Sequence, residues 1–296
     1  QLNTLTTALC KRCLDHNKHV QAAACGAIAT LLSEGRDTLA PWTAGIVQTL
    51  AEALAKYRRK NLRNLYDALT MLAENIGPAL DNATHAGMIL PGMLQRWENS
   101  NGADPELFHL LECLTALVIG FGQSAAQYAS GIFNKCVAAL TLMLQRRTAV
   151  QRGEIPAEEY SIDVVICTLD LVSGLCEGLG QSIEPLVVQS QLRDIVLASC
   201  VDNSPGVKRS AFALLGDLAR SCPTYLTASL KQFMELIVSQ LQPGNVISMN
   251  MSVCNNASWA AGELAIRSLP DALRPFVGPL AQCFIQILEM RMVNRA

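Results

Sequence analysis

The sequence predicts an all-α protein of the HEAT-repeat type, a solenoid of antiparallel helix pairs. Three observations predict it. Helix-period apolar segments fill the chain from end to end, period-two strand patterns are essentially missing, and the segments pair at a spacing of about 40 residues. Half of the 296 residues are hydrophobic but only 5% are aromatic, which favours helices packed closely on helices. Length alone would allow about two ordinary domains. The repeat pattern instead predicts a single continuous array over 1–296, six helix pairs plus one helix, cut from a longer protein.

The segments follow in order. Leu2 to Asp15 pairs with Lys18 to Ser33, and Leu39 to Tyr57 with Lys60 to Leu80. His85 to Glu98 pairs with Glu106 to Phe121, and Ala125 to Arg147 with Tyr160 to Leu179. Ile183 to Val201 pairs with Pro205 to Ser221, and Tyr225 to Leu241 with Asn250 to Leu269. Arg274 to Met292 stands alone. Turn residues mark the breaks, as in Asp-Asn-Ser-Pro-Gly at 202–206, where Pro205 suits a first helical turn because its missing N–H costs little there. Glu-Gly-Leu-Gly at 177–180 reads as a helix end with a left-handed glycine cap.

Composition excludes several classes. The net charge of −2 gives no nucleic-acid or membrane signal, no uninterrupted apolar run of about 18 residues suggests a membrane span, and no signal peptide opens the chain. The eleven cysteines sit mostly inside apolar helical runs, as buried reduced thiols do. Cys10 and Cys13 form a CxxC with no second pair at zinc spacing, so no metal is expected. The four histidines pair with nothing at catalytic spacing and no phosphate loop exists, so neither an enzyme nor a cofactor is expected.

The informative polar residues lie on the second helices. Asp67 and Glu74 are seven apart, as are Asp170 and Glu177, so each pair falls on one helical stripe. Asp217 follows in FALLGDLAR. Asn255, Trp259 and Glu263 are spaced by four on the sixth second helix, one face carrying an amide, an indole and an anion. Stacked, these stripes predict an acidic concave wall. The first helices carry Lys11, Arg12, Lys56, Arg58, Lys135, Arg146, Arg147 and Lys231 near their ends, as expected of a solvated convex face. Each residue also has a plainer reading. Asp67 or Asp170 alone is more often a solvated or internally paired carboxylate, and Trp259 alone is more often core. Of Asn255 and Asn256, one is expected to satisfy a carbonyl of the neighbouring repeat and Asn255 to face outwards.

The segments VCNNASWAAGELAI at 253–266, SAFALLGDLA at 210–219, LDLVSGLCEGLG at 169–180 and KNLRNLYDALTMLAE at 60–74 resemble the transportin family of importin-beta-like nuclear import receptors. The resemblance is collinear from about Leu5 to Glu289. It implies an acidic groove for cargo nuclear localisation signals, extended peptides with a basic or hydrophobic stretch, then an Arg and a Pro-Tyr pair. It places Thr30, Asp67, Asp170, Glu177, Asp217, Asn255 and Trp259 at cargo-contact positions with the family's residue, and Glu74 where the family has Asp. The two neighbouring amides, Asn255 and Asn256, would hold the cargo backbone. Departures are Ser33 in place of an acid, Gly26 for a small hydroxyl residue, Met71 for Thr, Met251 for Ile, and Arg209 for a neutral polar residue. The resemblance further implies shuttling between cytoplasm and nucleus, with Ran-GTP and nucleoporins engaged mostly through parts outside this chain, weak cargo binding by this piece alone, and no direct contact with membrane or nucleic acid. The alternative is a HEAT scaffold that binds folded partners through its convex side.

Overall fold

The computed structural model describes residues 1–100, 106–246 and 250–293, and is helical throughout, with no strand among the described residues. The helices are α1 (Leu2–Cys13), α2 (Lys18–Gly35), α3 (Thr43–Lys56), α4 (Arg59–Asn75), α5 (Ala83–Asn99), α6 (Glu106–Phe121), α7 (Ala126–Gln151), α8 (Ile162–Leu179), α9 (Glu184–Val188), α10 (Leu192–Cys200), α11 (Pro205–Ser221), α12 (Pro223–Leu226), α13 (Leu230–Gln240), α14 (Met251–Arg267) and α15 (Pro270–Val293). This is the HEAT/armadillo-like arrangement of repeated helix pairs that the periodicity predicts.

Two compact units are distinguished. In the first, Gln1–Ile132 with Glu177–Leu179, α1, α3 and α5 pack as one layer and α2, α4 and α6 as the other. Its core is leucine-rich, with Leu32, Leu50, Leu65, Leu69, Leu72 and Leu114 fully buried. Each such side chain contributes roughly 1.5–3 kcal/mol on burial. In the second, Phe133–Cys176 with Gly180–Ala296, α10, α13 and α15 form one layer, and α14 packs along α11 in the other. Ser221 donates to the Cys176 carbonyl at 3.0 Å, which ties α11 to α8. Phe212 and Phe233 fill this core.

Local chemistry explains the helix ends. Asn17 caps α2 by accepting from the His19 amide at 2.9 Å, and Asn82 caps α5 by accepting from the Thr84 amide at 2.8 Å. Pro205 opens α11 as expected. Gly180 follows α8 with φ +53°, the positive-φ turn read from the sequence, although its ψ of −134° is not that of the left-handed helix.

Four predicted helices are broken. The segment from Lys60 to Leu80 stops as α-helix at Asn75, and Gly77–Leu80 form a 3₁₀ turn that Gly77 opens with φ +62°. Residues 36–42, containing Pro41, form a 3₁₀ turn, so the third helix starts at Thr43 rather than Leu39. The segment from Ile183 to Val201 splits into α9 and α10. Ser190 donates to the Val187 carbonyl at 2.8 Å and accepts from the Leu192 amide at 3.2 Å, an alternative to continued helix. Residues 227–229 similarly form a 3₁₀ turn that separates α12 from α13. The stretch Glu106–Gln151 contains an 18-residue window with a mean hydropathy of 1.4, long and apolar enough by composition to cross a membrane. A turn at Gly122–Ala125 divides it, and Leu110, Leu111, Leu114 and Leu117 are core residues of the first unit.

Arg147 departs from the expected solvated face. Its guanidinium lies 2.6 Å from Asp202, a carboxylate buried to 3% exposure, and also donates to the Ala198 carbonyl at 3.2 Å. The Tyr160 hydroxyl donates to the same carboxylate at 2.9 Å, and the Ser204 amide to its other oxygen at 2.8 Å. Burial, and then the bond to Asp202, push the Tyr160 phenol well above its ordinary value. One carboxylate thus joins the end of α7, the loop before α8 and the start of α11, all within the second unit.

Candidate functional site: the polar face of α11 and α14

The second unit holds the best-defined group of predicted site residues. Helix α14 buries Val253, Cys254, Ala257, Ala260, Ala261 and Leu264, a small-residue face that lets it approach α11 closely. That face leaves Asn255 exposed and Asn256 and Trp259 half-buried along its edge.

Trp259 lies directly on Gly216 of α11. A methyl group at Gly216 would sit 2.5 Å from Cε3 and 2.8 Å from Cη2 of the indole, well inside van der Waals contact. Only glycine at 216 permits this seating. A glycine costs a helix interior roughly 0.5–1 kcal/mol relative to Ala, and here it gives the ring a flat bed. The ring is therefore neither core nor free on the surface. Asp217, the next residue after Gly216, is half-buried and accepts a hydrogen bond from the Ser173 hydroxyl of α8. Asp170, also half-buried, lies one turn before Ser173 on α8. A half-buried indole on Gly216, with a half-buried carboxylate at the next position of α11, suits a ligand that is cationic at its tip and apolar along its stem.

The two amides divide as expected. Asn256 Nδ2 donates to the Arg209 carbonyl of α11 at 3.0 Å, while Asn255 is exposed one turn before Trp259. The first unit uses the same device, where Asn61 Nδ2 of α4 donates to the Lys18 carbonyl of α2 at 2.9 Å. Glu263 extends the row, but Arg267 pairs with it across one helical turn, so the row carries less negative charge than its sequence implied.

In the first unit, Asp67 and Glu74 are exposed on α4 with Met71 half-buried between them. The same exposed face carries Arg63 and Lys60 one and two turns before Asp67. The stripe on α4 therefore changes sign along its length instead of being uniformly acidic. Thr30 is exposed on α2, and its hydroxyl donates to the Gly26 carbonyl of its own helix at 3.1 Å. Ser33 is half-buried and Glu34 exposed near the end of α2. Glu177 is exposed in the last turn of α8.

Gly216 and Ser173 join this site without standing out in the pattern of polar stripes. A glycine inside an otherwise regular helix one residue before a carboxylate was a usable signal of close approach. Ser173, one turn after Asp170, carries no such signal, because its role depends on which helix faces α8. Elsewhere, Cys13 does not act with Cys10. Its sulphur lies 3.8 Å from that of Cys25, and the Tyr57 hydroxyl donates to the Cys13 carbonyl at 2.6 Å. Among the described residues, no group of three or more His, Cys, Asp or Glu is placed to hold a metal ion. Trp97 is buried, and the half-buried Trp42 donates through Nε1 to Asn3 at 2.9 Å.

Comparison with known proteins defines the class first. A structure of Kap95p, described as inducing the switch loops of RanGDP to adopt the GTP-bound conformation, superposes on 97% of the chain with a TM-score of 0.71 at 15% identity. The match covers 34% of that protein. At that identity the likeness speaks for the fold alone, a HEAT/armadillo-like helical array. Sequence is more specific. Transportin-1 of Oryza sativa subsp. japonica is 40% identical over 98% of the chain, and transportin-1 of Mus musculus is 36% identical over 97%. The chain is a homologue of the transportin family of importin-beta-like receptors over nearly its whole length. It spans about a third of those relatives, 32% and 31% of their lengths. No family model matches the chain.

Proposed function

We propose that this chain is the cargo-gripping segment of a nuclear import receptor, acting by binding and without catalysis. Its cargo is an extended nuclear localisation signal with a basic or hydrophobic stretch followed by an Arg and a Pro-Tyr pair. The observation that carries this reading is the half-buried Trp259 seated on Gly216, with Asp217 beside it and Asn255 exposed one turn away. The indole offers an apolar and cation–π surface worth roughly 0.5–2 kcal/mol to an arginine or aliphatic side chain. Asp217 and Asp170 offer charge-assisted hydrogen bonds, about 1.5–3 kcal/mol each where partly desolvated. Asn255 can both donate to and accept from an extended backbone without reading its sequence. Thr30, Asp67, Glu74 and Glu177 are proposed as further contacts. Being exposed, the carboxylates among them contribute no more than about 1 kcal/mol apiece.

The relatives' names and their greater length support the rest of the proposal. The longer receptor would shuttle between cytoplasm and nucleus, with Ran-GTP and nucleoporins engaged mainly by its other parts. Salt separates this reading from a scaffold that binds folded partners. A fluorescent peptide of the stated pattern should lose affinity steeply as ionic strength rises and the Debye length falls below about 10 Å. Binding indifferent to salt would speak for the scaffold.

A further inference from the structure

The most concentrated charge on the described surface has the opposite sign from the proposed cargo site and lies elsewhere. Lys56, Arg58, Arg59, Lys60 and Arg63 place five cations within eight residues, at the junction of α3 and α4, in a chain whose net charge is −2. All five side chains are exposed. Lys56 pairs with Glu52 at 3.4 Å and Arg59 with Glu106 at 3.3 Å. Arg58, Lys60 and Arg63 make no ion pair with any described residue. Lys18 and His19, both exposed, adjoin this cluster through the bond from Asn61 to the Lys18 carbonyl.

The placement runs against the usual pattern. Neither α2 nor α4 has an acid in its first turn, and Arg58 sits at the start of α4 without a side-chain cap. Cations there oppose the helix dipole and repel one another, so the cluster is costly unless an anion neutralises it. The span from Arg58 to Arg63 is about 8 Å of helix, the reach of a few extended residues.

We propose that this cluster is a second docking surface, for a carboxylate-rich extended segment of a partner protein. Charge complementarity selects the occupant. Arg58, Lys60 and Arg63 supply ammonium and guanidinium donors suited to Asp and Glu side chains. Nucleic acid is the poorer fit. Tyr57, the one aromatic within the cluster, is buried at 4% exposure and offers no surface for base stacking. The proposal stands apart from the cargo reading, because it concerns other residues and ligands of the opposite charge.

The test titrates the protein with a fluorescein-labelled hexaglutamate peptide at low salt. Parallel titrations use a single-stranded RNA oligomer and vesicles containing phosphatidylserine. Arg58→Glu, Lys60→Glu and Arg63→Glu are combined in one variant, and circular dichroism checks its helix content. The expected result is saturable peptide binding that weakens about tenfold or more in the variant and also falls with added salt. Unchanged peptide affinity in a folded variant overturns the proposal. So does tighter binding of the RNA or the vesicles than of the peptide. If the triple reversal fails to fold, Lys60→Gln with Arg63→Gln gives the same reading, with a several-fold loss expected and no loss contradicting it.

Discussion

Replacing Asp202 with Ala is expected to destabilise the second unit by about 3–5 kcal/mol. The substitution leaves the Arg147 guanidinium, 20% exposed, with only the Ala198 carbonyl as a partner. It also strips the Tyr160 hydroxyl and the Ser204 amide of their acceptor. Breaking one side of a buried pair costs more than the pair contributes, because the surviving charge stays desolvated. Urea unfolding followed by circular dichroism measures the loss. The double variant Arg147→Met with Asp202→Leu should recover much of it, since it removes both charges. A loss below about 1 kcal/mol in Asp202→Ala would mean that the carboxylate does not hold the three segments together.

Gly216→Ala is expected to separate binding from folding. Alanine raises intrinsic helix propensity by up to about 1 kcal/mol, so on local grounds alone α11 should become more stable. The added methyl group instead occupies the bed of the Trp259 ring. The indole must swing outwards, and basic-peptide affinity should fall about tenfold while helix content is kept. That corresponds to the roughly 0.5–2 kcal/mol that the ring supplies. Trp259→Ala should cost a similar amount, and the double variant no more than either alone. The two residues act as one feature, and a double-mutant cycle reports it. Additive losses would show that Gly216 acts through something other than the ring.

Much of this was legible in the sequence, for definite reasons. Apolar periodicity and turn chemistry depend on near neighbours, so α6 and α11 begin and end where the pattern put them. The breaks at Ser190 and Pro41 were missed because a helical pattern can run through residues whose side chains or missing N–H locally favour another turn. The division of labour between Asn255 and Asn256 followed from the need of any buried amide for a partner. Its actual partner, the Arg209 carbonyl 47 residues away, depends on how α14 meets α11. The same limit hid the Ser173–Asp217 bond and the Arg147–Asp202 pair, both made between segments remote in the chain. Arg63 stands one turn before Asp67 on α4, so the change of sign along that face is already written in the sequence.

The central claim is that the polar face around Trp259 grips a basic, extended cargo signal. Fluorescence anisotropy of a labelled peptide carrying a basic stretch, an Arg and a terminal Pro-Tyr pair tests it most directly. The protein is compared with the variant Trp259→Ala plus Asp170→Ala. The account predicts a loss of about thirtyfold to several thousandfold in affinity, from one lost indole contact and one lost charge-assisted bond, about 2–5 kcal/mol together. Equal affinity for the two proteins, with the variant folded, would contradict it.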